Sequence, residues 1–156
     1  MRRTDLRLAA VGLCLLGLSV GFLEAGENGK SGLQWQPDLH TAHALAVRDN
    51  KPLLLVFGAE WCGWCKKLEK NTLGDPQMVE YINRTFVPIH IDVDQQKKVA
   101  EILEVESLPC TIVLSPEADL LGRFEGFDKP EGLYKKLAAA KQLQERVAPA
   151  AGSTAP

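Results

Sequence analysis

Cys62 and Cys65 stand three residues apart in the segment Trp61-Cys62-Gly63-Trp64-Cys65. At the start of a helix, two thiols at this spacing can close a disulfide across one turn. The first would face unpaired backbone N–H groups and the positive end of the helix dipole, both of which favour thiolate. A lowered pKa would make Cys62 a nucleophile at neutral pH and later a good leaving group. Cys65, one turn further in, is expected to be the more buried thiol and to resolve a mixed disulfide. Lys66 and Lys67 add positive charge nearby. The competing readings are a structural disulfide or half of a zinc site. Zinc would require a second Cys or His pair at similar spacing, and His40, His43 and His90 offer no obvious one, so no metal site is assigned.

The surrounding pattern alternates between helix and strand. Asp38 to Arg48 places Leu39, Ala42, Leu45 and Ala46 at helical spacing, with Asp38 as the cap, and Asn50-Lys51-Pro52 breaks it. Leu53 to Phe57 is a continuous apolar run, as expected of a central strand covered on both faces. A helix is expected from Cys62 to about Lys70 and a second helical stretch over Pro76 to Arg84. A strand follows over Phe86 to Val93 and a helix over Gln95 to Glu104. Thr111 to Leu114 and Leu120 to Phe124 read as a hairpin around Ser115 to Asp119. A last helix, Pro130 to Arg146, would turn Leu133, Leu137, Ala140 and Leu143 inward. The order α-β-α-β-α-β-β-α predicts an α/β domain with a small mixed sheet between helices. It sets the cysteines at the C-terminal end of a strand, where such sheets present their chemistry.

A chain of 156 residues allows one domain of ordinary size. Its apolar fraction of 46% and charged fraction of 24% are those of a globular protein. A net charge of -2 gives no reason to expect nucleic acid or an anionic membrane surface as a partner. Arg2, Arg3 and Arg7 followed by the uncharged run Leu8 to Leu23 form a signal-peptide layout over residues 1–25, with an uncleaved membrane anchor as the alternative. Either places the folded part outside the cytoplasm, and Cys14 belongs to this segment. Residues 26–32 read as a polar linker, 33–147 as the folded domain, and 148–156 as a tail too poor in apolar residues to build a core.

Ala59-Glu60-Trp61-Cys62-Gly63-Trp64-Cys65-Lys66 resembles the active-site segment of the thioredoxin superfamily, and Leu108-Pro109 falls where that family has a cis-proline loop. The resemblance runs from about Lys51 to Leu137. Glu69 to Pro76 and Gly126-Phe127-Asp128 look most like the C-terminal domain of DsbD-type thiol:disulfide interchange proteins and similar exported thioredoxins. The resemblance implies a thioredoxin-like fold, a cis bond at Pro109, and pairing of its loop with a substrate's extended backbone beside Cys62. It also implies that Gly63 and Trp64 tune the redox potential.

The chain departs from the family at several positions. Thioredoxins keep a buried Asp late in the central strand as a proton acceptor for the second Cys, and a Lys pairs with it. Those places read here as Val56 and Pro88. Glu69, one turn after Cys65, is the available substitute; its competing reading is a surface charge paired with Lys66 or Lys70. Cys110 follows Pro109 directly as a candidate third thiol, or else as a small inert residue entering a strand. Trp61 is expected to shield the disulfide, Trp35 to pack in the core or linker, and Asp92 and Asp94 to cap a loop.

By this reading the chain is an exported thiol–disulfide oxidoreductase, needing no cofactor and leaning to reduction. It would act as a monomer on protein thiols and disulfides, with a membrane partner as electron donor. The alternative is a thioredoxin-fold chaperone or a Cu(I) or Zn binder using the same thiols.

Overall fold

Leu53 to Phe57 carries no polar side chain to offer to water, and it forms the centre of the sheet. The computed structural model describes residues 32–147. Residues 1–25, most of the 26–32 linker, Cys14 and the 148–156 tail, as read from the sequence, lie outside the described residues. The elements are α1 (Leu39–Asp49), β1 (Leu53–Gly58), α2 (Gly63–Leu68), a π-helical turn (Glu69–Leu73), α3 (Pro76–Thr85), β2 (Val87–Asp92), α4 (Lys97–Ile102), β3 (Cys110–Leu114), β4 (Leu120–Glu125) and α5 (Pro130–Val147). The sheet order is β2-β1-β3-β4. β1 pairs parallel with β2 and antiparallel with β3, and β3 forms a hairpin with β4. This is the mixed sheet expected from the sequence, with helices on both faces.

All six residues of β1 are buried, because each face of the sheet carries its own core. Leu54 and Val56 join Val113, Leu121, Met78, Ile82, Leu133 and Leu137 on the face covered by α3 and α5. Leu53, Leu55 and Phe57 join Ala42, Ala46, Ile89, Ile91 and Ile112 on the face covered by α1. The strand's alternation therefore feeds two cores at once.

Asp38 caps α1 as expected, its Oδ1 accepting the Thr41 N–H at 2.8 Å, and Asn50 ends the helix in the left-handed region at φ 49°. β2 is an edge strand, and it carries Pro88 at no cost to the sheet, since that residue's missing N–H has no ladder partner to lose. Outside β2, the Gln36 N–H donates to the Pro88 carbonyl at 2.9 Å. Asn83 of α3 holds the same incoming segment, accepting from the Gln34 N–H at 2.9 Å and donating to the Gly32 carbonyl at 3.1 Å.

Two local expectations are corrected. The last helix turns Gln144 inward rather than Leu143: Gln144 is 3% exposed and Leu143 38%. Four residues on from Ala140, the inward stripe reaches position 144, where Gln144 donates to the Asn50 carbonyl and accepts from Lys141 Nζ. The helix expected from Cys62 to Lys70 keeps regular α geometry only to Leu68 and then widens into the π-helical turn. That turn carries both Thr72 and Leu73 into the core. Gly74 closes it, because a Cβ there would stand 2.9 Å from the Lys70 carbonyl oxygen.

Thr72 Oγ1 donates to the backbone carbonyl of Asp128, tying this turn to the loop between β4 and α5. Thr72→Val should keep the shape and leave that carbonyl unpaired, lowering unfolding free energy by about 1–3 kcal/mol in urea titration.

Candidate active site

β1 ends at Gly58, and three residues of loop bring the chain to Cys62, which is the N-cap of α2. Its backbone is extended there (φ -83°, ψ 99°), and its Sγ accepts the N–H of Cys65 at 3.1 Å. A sulfur in the capping position satisfies one of the orphan donors of the helix start, and that donor favours negative charge on the sulfur. Cys62 and Cys65 form a disulfide with Cα atoms 5.3 Å apart. Both are nearly buried, at 6% and 3% exposure, and they pack with Ala59, Val93 and Leu108.

The flanking residues divide in two. Trp61 is 71% exposed, and its indole N–H donates to Asp94 Oδ2 at 2.8 Å. Trp64, also exposed, tilts against Phe127 with ring centroids 6.0 Å apart, and Lys67 Nζ sits 4.5 Å above the Trp64 ring. Gly63, between the cysteines, is exposed with open space where a Cβ would be. The Leu108–Pro109 bond is cis, Pro109 is buried, and its carbonyl accepts from the Gly126 N–H at 2.8 Å. Beside Cys62 runs a groove of about 430 Å³, walled by Trp61, Trp64, Val93, Val105, Glu106 and Leu108.

Glu69 pairs with neither Lys66 nor Lys70. Its Oε1 lies 3.1 Å from His90 Nε2, a residue of β2. The β1–β2 register sets His90 beside Val56 and Pro88 beside Leu54, so His90, rather than Pro88, stands next to the position of the family's Asp. Distant parts of the chain meet in this contact, and only the alternation of β2, which sends Ile89 and Ile91 to the α1 core and His90 to the other face, hints at it in the sequence.

Cys110 is buried on β3, opposite Phe57, in the core beneath α1. Burial pushes its thiol above the usual range, against a smaller opposing pull from the Arg123 guanidinium. Asp92 caps the loop after β2 as expected, accepting from the Asp94 and Gln95 N–H groups, whereas the Asp94 carboxylate holds Trp61 instead. Trp35 stands at the surface, 37% exposed, edge-on to His90. His43 is engaged by the Pro116 carbonyl at 2.9 Å. Among the described residues no three His, Cys, Asp or Glu gather as metal ligands would.

A strand-order β2-β1-β3-β4 sheet whose first strand delivers a CxxC disulfide to a helix start, facing a cis-proline loop, is a thioredoxin-like fold. The chain belongs to the thioredoxin-like domain family, whose model matches residues 39–141. It is 28% identical over 146 residues to the thioredoxin-related protein DsbJ of Chlamydia pneumoniae, covering 85% of this chain and 42% of that protein. It is 35% identical over 72 residues to the thiol:disulfide interchange protein DsbD of Vibrio vulnificus, covering 46% of this chain and 12% of that one. The solved structure of a thioredoxin from Thermus thermophilus matches with a TM-score of 0.63 at 26% identity, covering 69% of this chain and 85% of that one. The chain thus spans less than half the length of these two curated relatives.

With its thiol buried and its pKa raised, Cys110 should hold little thiolate at neutral pH. In the reduced, folded protein a thiol reagent should modify Cys62 within the time that leaves Cys110 untouched. Mass spectrometry should find Cys110 labelled only after denaturation.

Proposed function

We propose that this chain is an exported thiol–disulfide oxidoreductase that reduces protein disulfides through Cys62 and Cys65. The observation that carries this reading is Cys62 Sγ in the N-cap position of α2, accepting the Cys65 N–H. That donor and the helix terminus stabilise a thiolate at the edge of a groove open to a substrate. Cys62 thiolate attacks one sulfur of a substrate disulfide, a mixed disulfide forms, and the other substrate sulfur leaves as thiolate. Cys65 then attacks Cys62 Sγ, closing the protein's own disulfide and releasing the second substrate thiol. Two electrons have moved from the dithiol to the substrate.

The groove gives this chemistry a docking surface. Val93, Val105 and Leu108 offer apolar walls, and Trp61 is held upright by Asp94 at the mouth. An extended segment laid along the cis-Pro109 loop would bring its disulfide to Cys62, as the family resemblance implies. Gly63 and Trp64 set the potential, and Glu69 supports the second thiol. The similarity to DsbJ and DsbD supports a site of action outside the cytoplasm, protein thiols as substrates, and recharging by a membrane donor of electrons. No helix among the described residues is long and apolar enough to cross a membrane. We take the working unit to be a monomer.

Cys65→Ala should halt the cycle at the mixed disulfide. Affinity-purified variant should carry partner proteins joined through Cys62 and released by dithiothreitol; a protein recovered free of such adducts, with stoichiometric copper or zinc and no turnover of a disulfide, would count for the metal-binding alternative. The direction is tested by the potential of the pair in a glutathione redox series. A reductase should titrate near the ~−270 mV of thioredoxin, and a value near the ~−120 mV of DsbA would make the chain an oxidant.

A further inference from the structure

A resolving thiol must lose its proton before it can attack, and Cys65 is buried on the side of the disulfide away from the groove. What faces it there is set by Gly58. A Cβ at Gly58 would lie 3.6 Å from Cys65 Sγ and 3.1 Å from His90 Nε2. Thiol and imidazole border the same small space, and a glycine leaves it open. His90 Nε2 is in turn 3.1 Å from Glu69 Oε1, and the Trp35 ring stands edge-on to the imidazole at 5.9 Å. A cavity of about 450 Å³, lined by Trp35, Glu69, Leu73, Gly74 and His90, opens from the pair to solvent.

Arg84, Glu80, Lys67 and Asp92 are directed elsewhere. On α3, Arg84 and Glu80 pair with each other at 3.9 Å. On α2, Lys67 lies over Trp64 and Phe127. Asp92, on the same strand, is taken up by backbone N–H groups of its own loop. α1 covers the opposite face of the sheet. Glu69 from the π-helical turn is in contact with His90, and Cys65 from α2 borders the same space across Gly58.

We propose that the Glu69–His90 pair is the proton acceptor for Cys65, reached across the bare Cα of Gly58, with His90 Nε2 taking the proton and the Glu69 carboxylate, 3.1 Å from that nitrogen, stabilising the imidazolium that forms. This deepens the reading of Cys65 as the resolving thiol and rests on it. The Cys65 Sγ–H gives its proton to His90 Nε2, and the pair changes from carboxylate and neutral imidazole, with its ring proton on Nδ1, to carboxylate and imidazolium. The freed electron pair on Cys65 forms the bond to Cys62 Sγ while the bond between Cys62 and the substrate sulfur breaks. That sulfur leaves with the bonding electrons, and the imidazolium returns the proton to it or to solvent through the cavity. In the opposite direction the same pair delivers a proton to Cys65 as the disulfide opens. A carboxylate–imidazole dyad suits this task because the ring can take and return a proton at one nitrogen while the carboxylate stabilises the cation.

The test separates the two thiols in time. In a full-length Cys14→Ser background, the reduced protein is mixed with an aromatic disulfide that releases a coloured thiolate. The first release reports attack by Cys62, and the second reports resolution by Cys65. His90→Gln should leave the first release unchanged and slow the second by about a hundredfold at pH 7. The deficit should shrink as the pH passes ~8.5, where an unassisted thiol ionises by itself. Glu69→Gln, altering a half-exposed side chain, carries the same expectation and stands in if His90→Gln unfolds. Second releases at the parent rate across the pH range, or a slowing shared by both releases at every pH, would overturn the proposal. Cys65→Ala should abolish the second release; if that release persists, the assignment of Cys65 as resolving thiol fails instead.

Discussion

The burial of β1 on both faces is the constraint from which the site follows. Six consecutive residues have no route to water, and they are clamped between a parallel neighbour and an antiparallel one. Slipping this strand by one residue would exchange Leu54 and Val56 for Leu55 and Phe57 in their respective cores, which differ in shape and partners. The end of β1 is therefore fixed, and so are the three residues that carry the chain to Cys62. The helix start, the capped sulfur and the short reach to Cys65 are consequences of where that strand stops.

Around the disulfide the two sides differ in chemistry. The Cys62 side is apolar, with Val93, Val105, Leu108 and an exposed Trp61 whose indole is anchored to Asp94. The Cys65 side is polar, with Glu69 and His90 at hydrogen-bond distance behind Gly58. An asymmetric surround suits a pair whose first sulfur must meet a substrate and whose second must exchange a proton. The π-helical turn contributes directly, since it begins at Glu69 and buries Thr72 and Leu73 beneath it.

What was legible in the sequence was whatever depends on nearby residues. The apolar run of β1, the Asp38 cap, the breaker at Asn50 and the CxxC at a helix start each declare themselves within a few positions. The cis bond before Pro109 was legible only through family resemblance, because X-Pro bonds are mostly trans. The Glu69–His90 contact was not legible, because it needs the register of β1 with β2, and a shift of two residues in that register exchanges His90 for Pro88 beside Val56. The inward Gln144 was missed for a different reason: hydrophobicity favoured Leu143, whereas helical geometry selects the residue four on from Ala140. Asp94 reads as one more loop acid until folding sets it beneath Trp61.

The tether on β2 has a consequence for how copies of the domain meet. An edge strand normally offers a row of N–H and C=O groups to any passing chain. Here Pro88 removes one donor from that row, and its carbonyl is already taken by the Gln36 N–H. Asn83 holds that segment from α3, so the chain's own backbone occupies part of this border of the sheet. The opposite edge is β4, where Arg123 donates to the Leu103 and Glu104 carbonyls and so ties that strand to the end of α4.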